Sequence, residues 1–190
     1  YGRAELTGQG ETVEAQGMLV SQDLFPLLGL KPILGRNFLP EEEQPTNNRV
    51  AILSQSLWRR GFANDPGIIG KSIQLNGASF TVVGVMGEQY PLDTDFWLPL
   101  SQLSQIDLTS RRHHSVQAIG RLKPGVTIEQ ARTEMETISD RLRQLYPATN
   151  KKIGVELTPM RHHLAGGLRP IVLLVFAAVA LVLLIACANV

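Results

Sequence analysis

The sequence predicts an α+β polar body joined to a transmembrane helix. Three features predict it. Ile171 to Ala188 runs for eighteen residues without a charge, Pro or Gly. Thr127 to Leu145 carries a helical apolar stripe behind a capping signature. Ser72 to Val85 carries two apolar strand segments around Asn76-Gly77, a hairpin signature.

Twelve of the eighteen residues in the apolar run are Ile, Val, Leu or Phe, and the rest are Ala plus Cys187. At about 1.5 Å per residue the helix reaches about 27 Å, close to the thickness of a bilayer's hydrocarbon. Its large apolar residues favour insertion by at most about 5 kcal/mol, since those near the ends contribute less. A fully buried helix of a soluble core is the competing reading. Every charge of the chain lies at or before Arg169, so a polar body precedes the span. The net charge of +1 gives no reason to expect a nucleic-acid partner, and no basic run is interleaved with aromatics. The single cysteine falls inside the apolar run, which leaves the polar body without a disulfide. The chain begins at Tyr1 and stops at Val190 directly after that run, so it is expected to be a fragment of a longer membrane protein.

Along the polar body, Thr12 to Val20 suits a half-buried strand. Ser21 offers an N-cap for a short helix through Leu28, stopped by Gly29. Lys31 to Asn48, with Pro32, Gly35, Pro40 and Pro45, is expected to be a surface connection with little regular structure. Val50 to Leu53 reads as a buried strand, and Ser54 as the cap of a helix whose apolar face holds Leu57, Trp58 and Phe62. Asn76-Gly77 supplies the positive φ that a tight hairpin needs. Phe96 to Leu98 is a short strand closed by Pro99. Ser115 to Leu122 alternates as a strand and ends in the turn Lys123-Pro124-Gly125.

Thr127 and Gln130 form a capping box. Behind it Ile128, Ala131, Met135, Ile138, Leu142 and Leu145 fall on one face, and Pro147 ends the helix. Ile153, Val155 and Leu157 alternate again, which predicts a strand–helix–strand unit whose helix packs on a sheet. The polar body is thus expected to have two lobes, separated near Leu30 and near Thr109.

No chemical motif survives inspection. Gly70-Lys71-Ser72 resembles the end of a phosphate loop, but the first Gly of that pattern falls at Asp65, whose carboxylate would repel phosphate. A strand, moreover, is expected after Ser72 where a phosphate loop needs a helix. His113-His114 and His162-His163 are adjacent pairs whose members point apart, so neither chelates a metal alone. Glu41-Glu42-Glu43 reads as a solvated charge cluster. Asp93 and Asp95 have no evident acid–base partner, and Ser54 and Ser56 lack a nucleophile elbow. The expectation is no enzyme, no cofactor and no metal.

Several motifs together resemble a known family. Val20-Ser21, Phe25, Leu28-Gly29, Pro32 and Gly35 to Phe38 come first, then Val50 to Ser54 and Trp58. Asp65 to Lys71, Leu75 to Gly77, Phe80 to Met86 and Gly120 to Thr127 with Ala131 follow in order. This succession is similar to MacB-like periplasmic core domains. Leu184 to Val190 looks like the start of the FtsX-like permease region that follows such domains. Within the family the run of motifs looks most similar to orphan permeases with duplicated halves.

The resemblance implies an extracytoplasmic domain between two membrane helices of an ABC-type permease, with residues 1–169 outside the inner membrane. It implies a porter-like α+β lobe from residues 1–29 and 110–165, an inserted smaller lobe from 30–109, and a transmembrane helix beginning at 170–190. The implied partners are a cytoplasmic ABC ATPase, a second permease unit in a dimer, and membrane lipid. ATP-driven closure would then move the helix from Ile171, with Gly166, Gly167, Arg169 and Pro170 as a pivot where the chain meets the membrane. A plain flexible linker is the other reading of Gly166-Gly167. Arg161, His162, His163 and Arg169 would lie on the outer side, against the positive-inside tendency, although orientation is decided over all helices of a protein. The alternative from another class is an extracytoplasmic binding or sensing module anchored by one helix.

Overall fold

The computed structural model describes residues 2–7, 13–88, 94–103 and 116–160, with scattered positions between 174 and 187. Its contacts divide the chain into two units, Tyr1–Arg121 and Leu122–Val190.

The first unit is built on seven strands: β1 (Gly2–Thr7), β2 (Val13–Val20), β3 (Pro32–Gly35), β4 (Val50–Ser54), β5 (Ser72–Leu75), β6 (Ala78–Met86) and β7 (Phe96–Pro99). Their order is β3-β6-β4-β7-β2-β1-β5, and β5 also pairs with β6. That last pairing closes a ring. On β6, Thr81 faces Val50 of β4 across one edge and Ser72 of β5 across the other. Val85, farther along, faces Leu53 of β4 and Leu34 of β3. So β5 and β3 share one edge of β6 in succession, and β3 is a spur on an otherwise closed barrel. Closure gives the ring strands partners on both sides, which an open sheet denies its edges.

Alternation fills the barrel. Ala4, Leu6, Ala15, Ala51, Leu53, Ile73, Leu75, Phe80, Val82, Phe96 and Leu98 belong to one buried cluster. Leu57 and Phe62 of α2 (Gln55–Phe62) and Ile68 join it, so the helix contributes to the same interior. Gly17 is needed here: a Cβ on it would stand 2.2 Å from the Phe96 ring. The alternate residues Ile52, Val83 and Trp97 form a second cluster on the outer face. Phe25 of α1 (Leu24–Leu28) and Phe38 cover it, with the Phe25 ring edge-on to Trp97 at 5.4 Å.

Several expectations hold. The hairpin turns at Asn76 and Gly77 with φ of 50° and 76°. Ser54 Oγ accepts from Leu57 N at 3.1 Å and caps α2. Others are corrected. The first helix starts at Leu24 with Asp23 before it, not at a Ser21 cap. The connection expected to be irregular contains β3 and a 3-10 turn at Pro40–Glu43. Pro and Gly read there as loop punctuation, yet Pro32 stands first in its strand, where a missing N–H is tolerated. Gly35 (φ 74°) lets the backbone approach β6, since a Cβ would lie 2.3 Å from the Val83 carbonyl oxygen.

Leu30, read as a lobe boundary, separates strands of one sheet: β2 before it pairs with β7, and β3 after it pairs with β6.

In the second unit α3 (Ile128–Leu145) carries the expected capping box. Thr127 Oγ1 accepts from Gln130 N at 3.2 Å, and Thr127 N donates to Gln130 Oε1 at 2.9 Å. A short helix, α4 (Pro147–Asn150), follows. The flanking strands do not form: residues 116–122 and 153–157 are irregular. Alternation gives a segment a strand's pattern but not the partner that stabilises it. The α3 stripe is partly covered: Ile128, Ala131, Met135 and Leu142 are half-buried, whereas Ile138 is 44% and Leu145 60% exposed. Among the described residues no helix is long and apolar enough to cross a membrane.

Candidate functional site

The pivot candidates Gly166, Gly167, Arg169 and Pro170 lie outside the described residues, as do both histidine pairs and Asp93. Arg161 lies outside them as well, whereas Glu42, Glu43, Asp65, Lys71 and Asp95 fall in the barrel unit, where they serve as fasteners.

Glu42 departs most from expectation. It belongs to an acidic run read as solvated, yet it is only 3% exposed. The Pro40–Glu43 turn points its carboxylate at the backbone before it. There Oε1 accepts from Arg36 Nη2 at 2.6 Å, while Oε2 accepts from Arg36 Nη1 at 3.0 Å and from Leu39 N at 2.8 Å. This is a bidentate pair with an added backbone donor, so the buried charge is fully compensated. The hydrogen bond to Glu42 holds the Arg36 guanidinium above its ordinary value. Glu43 meanwhile accepts from Gln22 N at 2.7 Å, which ties the same turn to the chain after β2. The missed signal was Arg36, six residues before a glutamate, with a turn-forming proline between them.

The Asp65 to Lys71 loop is not a phosphate cradle. Asp65 Oδ1 caps a 3-10 turn by accepting from Gly67 N at 2.9 Å, and its Oδ2 accepts from Lys71 Nζ at 2.7 Å. The Lys71 bond first, and the Gly67 bond second, hold the Asp65 carboxyl below its ordinary value. The chain then enters β5 rather than a helix. Lys71 is committed to a carboxylate of its own loop.

A shallow cavity of about 210 Å³ lies beside the start of α2, lined among others by Ser54, Ser56, Arg59, Arg60, Glu88 and Asp95. Its charges pair off: Arg59 with Glu88 at 3.1 Å and Arg60 with Asp95 at 2.6 Å. Asp95 also accepts from Gln16 N through Oδ2 at 2.8 Å, and its carbonyl accepts from Ser54 N at 2.8 Å. Asp95 therefore joins β2, β4 and α2, which gives it the partner that the sequence did not reveal. Among the described residues neither Ser54 nor Ser56 meets a base; Ser54 is a helix cap and Ser56 Oγ accepts from Arg60 Nη1 at 3.3 Å. Among the described residues no cluster of metal-ligating side chains assembles. What this unit offers is a braced body.

The profile of the MacB-like periplasmic core domain matches residues 2–138, which spans the whole barrel and more than half of α3. The chain belongs to this family. Its fold is similar to the periplasmic region of MacB from Actinobacillus actinomycetemcomitans, at 20% identity and a TM-score of 0.56, covering 78% of this chain and 65% of that one. It is similar to a permease-protein domain from Porphyromonas gingivalis, at 20% identity and a TM-score of 0.54, covering 74% of this chain and 66% of the other. The extracellular domain of the noncanonic ABC-type transporter YknZ from Gram-positive bacteria is a third neighbour. It shares 13% identity at a TM-score of 0.54, with 76% of this chain and 72% of that one covered. The chain thus spans just under two thirds of the first two structures. No curated protein matches it. Residues 2–138 are thus a MacB-like periplasmic core domain, as the resemblance implied.

Proposed function

We propose that this MacB-like domain couples ATP hydrolysis in the cytoplasm to movement outside the membrane, as part of an export or efflux permease. The family match over residues 2–138 carries the reading. A braced barrel supports it, because a domain that relays motion must move as a body rather than deform. The apolar run from Ile171 supports the membrane link. Its described positions Leu174, Val175, Phe176, Val179 and Leu181 are helical and between 52% and 71% exposed. An interior helix of a soluble core would hide these side chains; lipid accepts them.

In this reading the helix from Ile171 is the lever, and Gly166-Gly167 with Arg169-Pro170 is its pivot. The ATPase is the cytoplasmic partner, a second permease unit completes a dimer, and residues 1–169 lie outside the membrane. Of the two lobe boundaries, the one near Thr109 lies outside the described residues and the chain's contacts divide after Arg121, while β2 and β3 on either side of Leu30 belong to one sheet.

The test uses the full-length permease with its ATPase in nanodiscs. Spin labels at Glu136→Cys in each of two units report distance with and without ATP, after Cys187→Ser removes the native thiol. Coupling predicts an ATP-dependent change, reduced by Gly166→Pro together with Gly167→Pro. A distance indifferent to ATP sinks the reading and leaves an anchored binding or sensing module. Carbonate extraction tests the membrane link: residues 1–190 expressed alone stay with the membrane, and residues 1–169 expressed alone are released.

A further inference from the structure

We propose that Arg121 is a reversible clasp that straps residues 116–121 to the end of α1. The five-residue helix α1 ends on Gly29, whose φ is 75°. Gly29 N donates to the Pro26 carbonyl at 3.0 Å and Leu30 N to the Phe25 carbonyl at 2.9 Å, a Schellman-type pair that satisfies two of the terminal carbonyls. The Leu27 carbonyl is not among them, and it lies at the end where the helix dipole accumulates negative charge. Arg121 Nη2 donates to it from 94 residues away in sequence. A guanidinium suits this place because it is a permanent cation with a fixed fork of donors.

The two sides of the contact differ in regular structure and burial. On one side α1 is fixed by Phe25, which is fully buried against Trp97. On the other, residues 116–121 are irregular and exposed throughout, with Val116 51% and Ile119 41% exposed. The bond itself is in contact with solvent, so it exchanges readily with water and salt. An anchored helix end, an irregular segment and an exposed charge-assisted bond between them make a strap with a held and a released state. The contact boundary between the chain's two units falls directly after Arg121. The strap is therefore the last stretch of the first unit before the chain leaves it.

The experiment places spin labels at Glu5→Cys on β1 and Gln117→Cys on the strap, in the full chain with Cys187→Ser, in nanodiscs without ATPase. The clasp predicts a dominant short-distance population in the parent. Arg121→Ala should lower the held-to-released ratio about fivefold, and Arg121→Lys should fall between. Raising salt to about 1 M should act in the same direction as Arg121→Ala in the parent and have little effect in the variant. A distribution unchanged by Arg121→Ala overturns the proposal. So does a large fall in the variant's urea midpoint, followed by tryptophan fluorescence, because Arg121 would then be holding the fold itself. With no ATPase present, neither outcome bears on the coupling described above.

Discussion

Glu42 and Arg36 illustrate at the scale of a residue how local geometry overrides composition. A run of three glutamates belongs in water by charge alone, yet the middle one is withdrawn because a turn brings it onto a guanidinium and a free backbone N–H. Arg36→Ala should destabilise the barrel by about 2–3 kcal/mol, since it leaves a buried carboxylate with one donor. The check is a lower urea midpoint with an unchanged slope. Asp65 makes a separate pH prediction. Its carboxyl titrates below the ordinary range because Lys71 and Gly67 donate to the charged form. The native state therefore gains from this group above about pH 4, and the gain disappears as pH falls through the folded value. The difference in urea midpoint between the parent and Asp65→Asn should be constant from neutral pH down to about 5 and shrink below about 4.

Capping separates the elements that belong to the barrel from the one that does not. Ser54 caps α2, which contributes Leu57 and Phe62 to the core, so the cap's energy is coupled to the whole unit. Ser54→Ala should cost about 1 kcal/mol of global stability. Thr127 makes an even fuller cap on α3, but only Ser139 of that helix is buried. Thr127→Ala should leave the barrel's midpoint unchanged and speed amide exchange several-fold in the first turn of α3 alone. Hydrogen exchange read by mass spectrometry distinguishes the two. The same contrast explains the segments beside α3. Val116, Ile119 and Val155 carry a strand's alternation, but a lone segment has no ladder to join.

For the whole molecule, ring closure is the decisive feature. The pairings that complete it are short: Leu6–Leu75 and Thr7–Gln74 join β1 to β5, and Ile52–Trp97 and Leu53–Phe96 join β4 to β7. Such short contacts persist because the interior cluster backs all four strands, and the outer cluster also covers β4 and β7 from the other face. Phe25→Ala, which empties the outer cluster at its largest α1 contact, should lower stability by about 3–5 kcal/mol. The loss should appear as one cooperative transition in which Trp97 and the β4 amides are released together. A transition that frees Trp97 while leaving β4 protected would show the clusters to be independent.

Local patterns by themselves determined a good part of this domain. The Asn76-Gly77 hairpin, the Ser54 and Thr127 caps, the Val50 strand and the Phe96 strand are all read from a few adjacent residues, because turn dihedrals and cap donors act within one or two turns of chain. The order of motifs also led to the family. Only the tertiary structure decided that β5 reaches both β1 and β6, that residues on either side of Leu30 share one sheet, and that Glu42 lies inside. It also decided that Asp95 holds three elements together and that Arg121 meets α1. Those contacts join residues far apart in sequence, and their energy depends on which surfaces meet. A one-dimensional pattern carries the periodicity of each surface but not the identity of its neighbour.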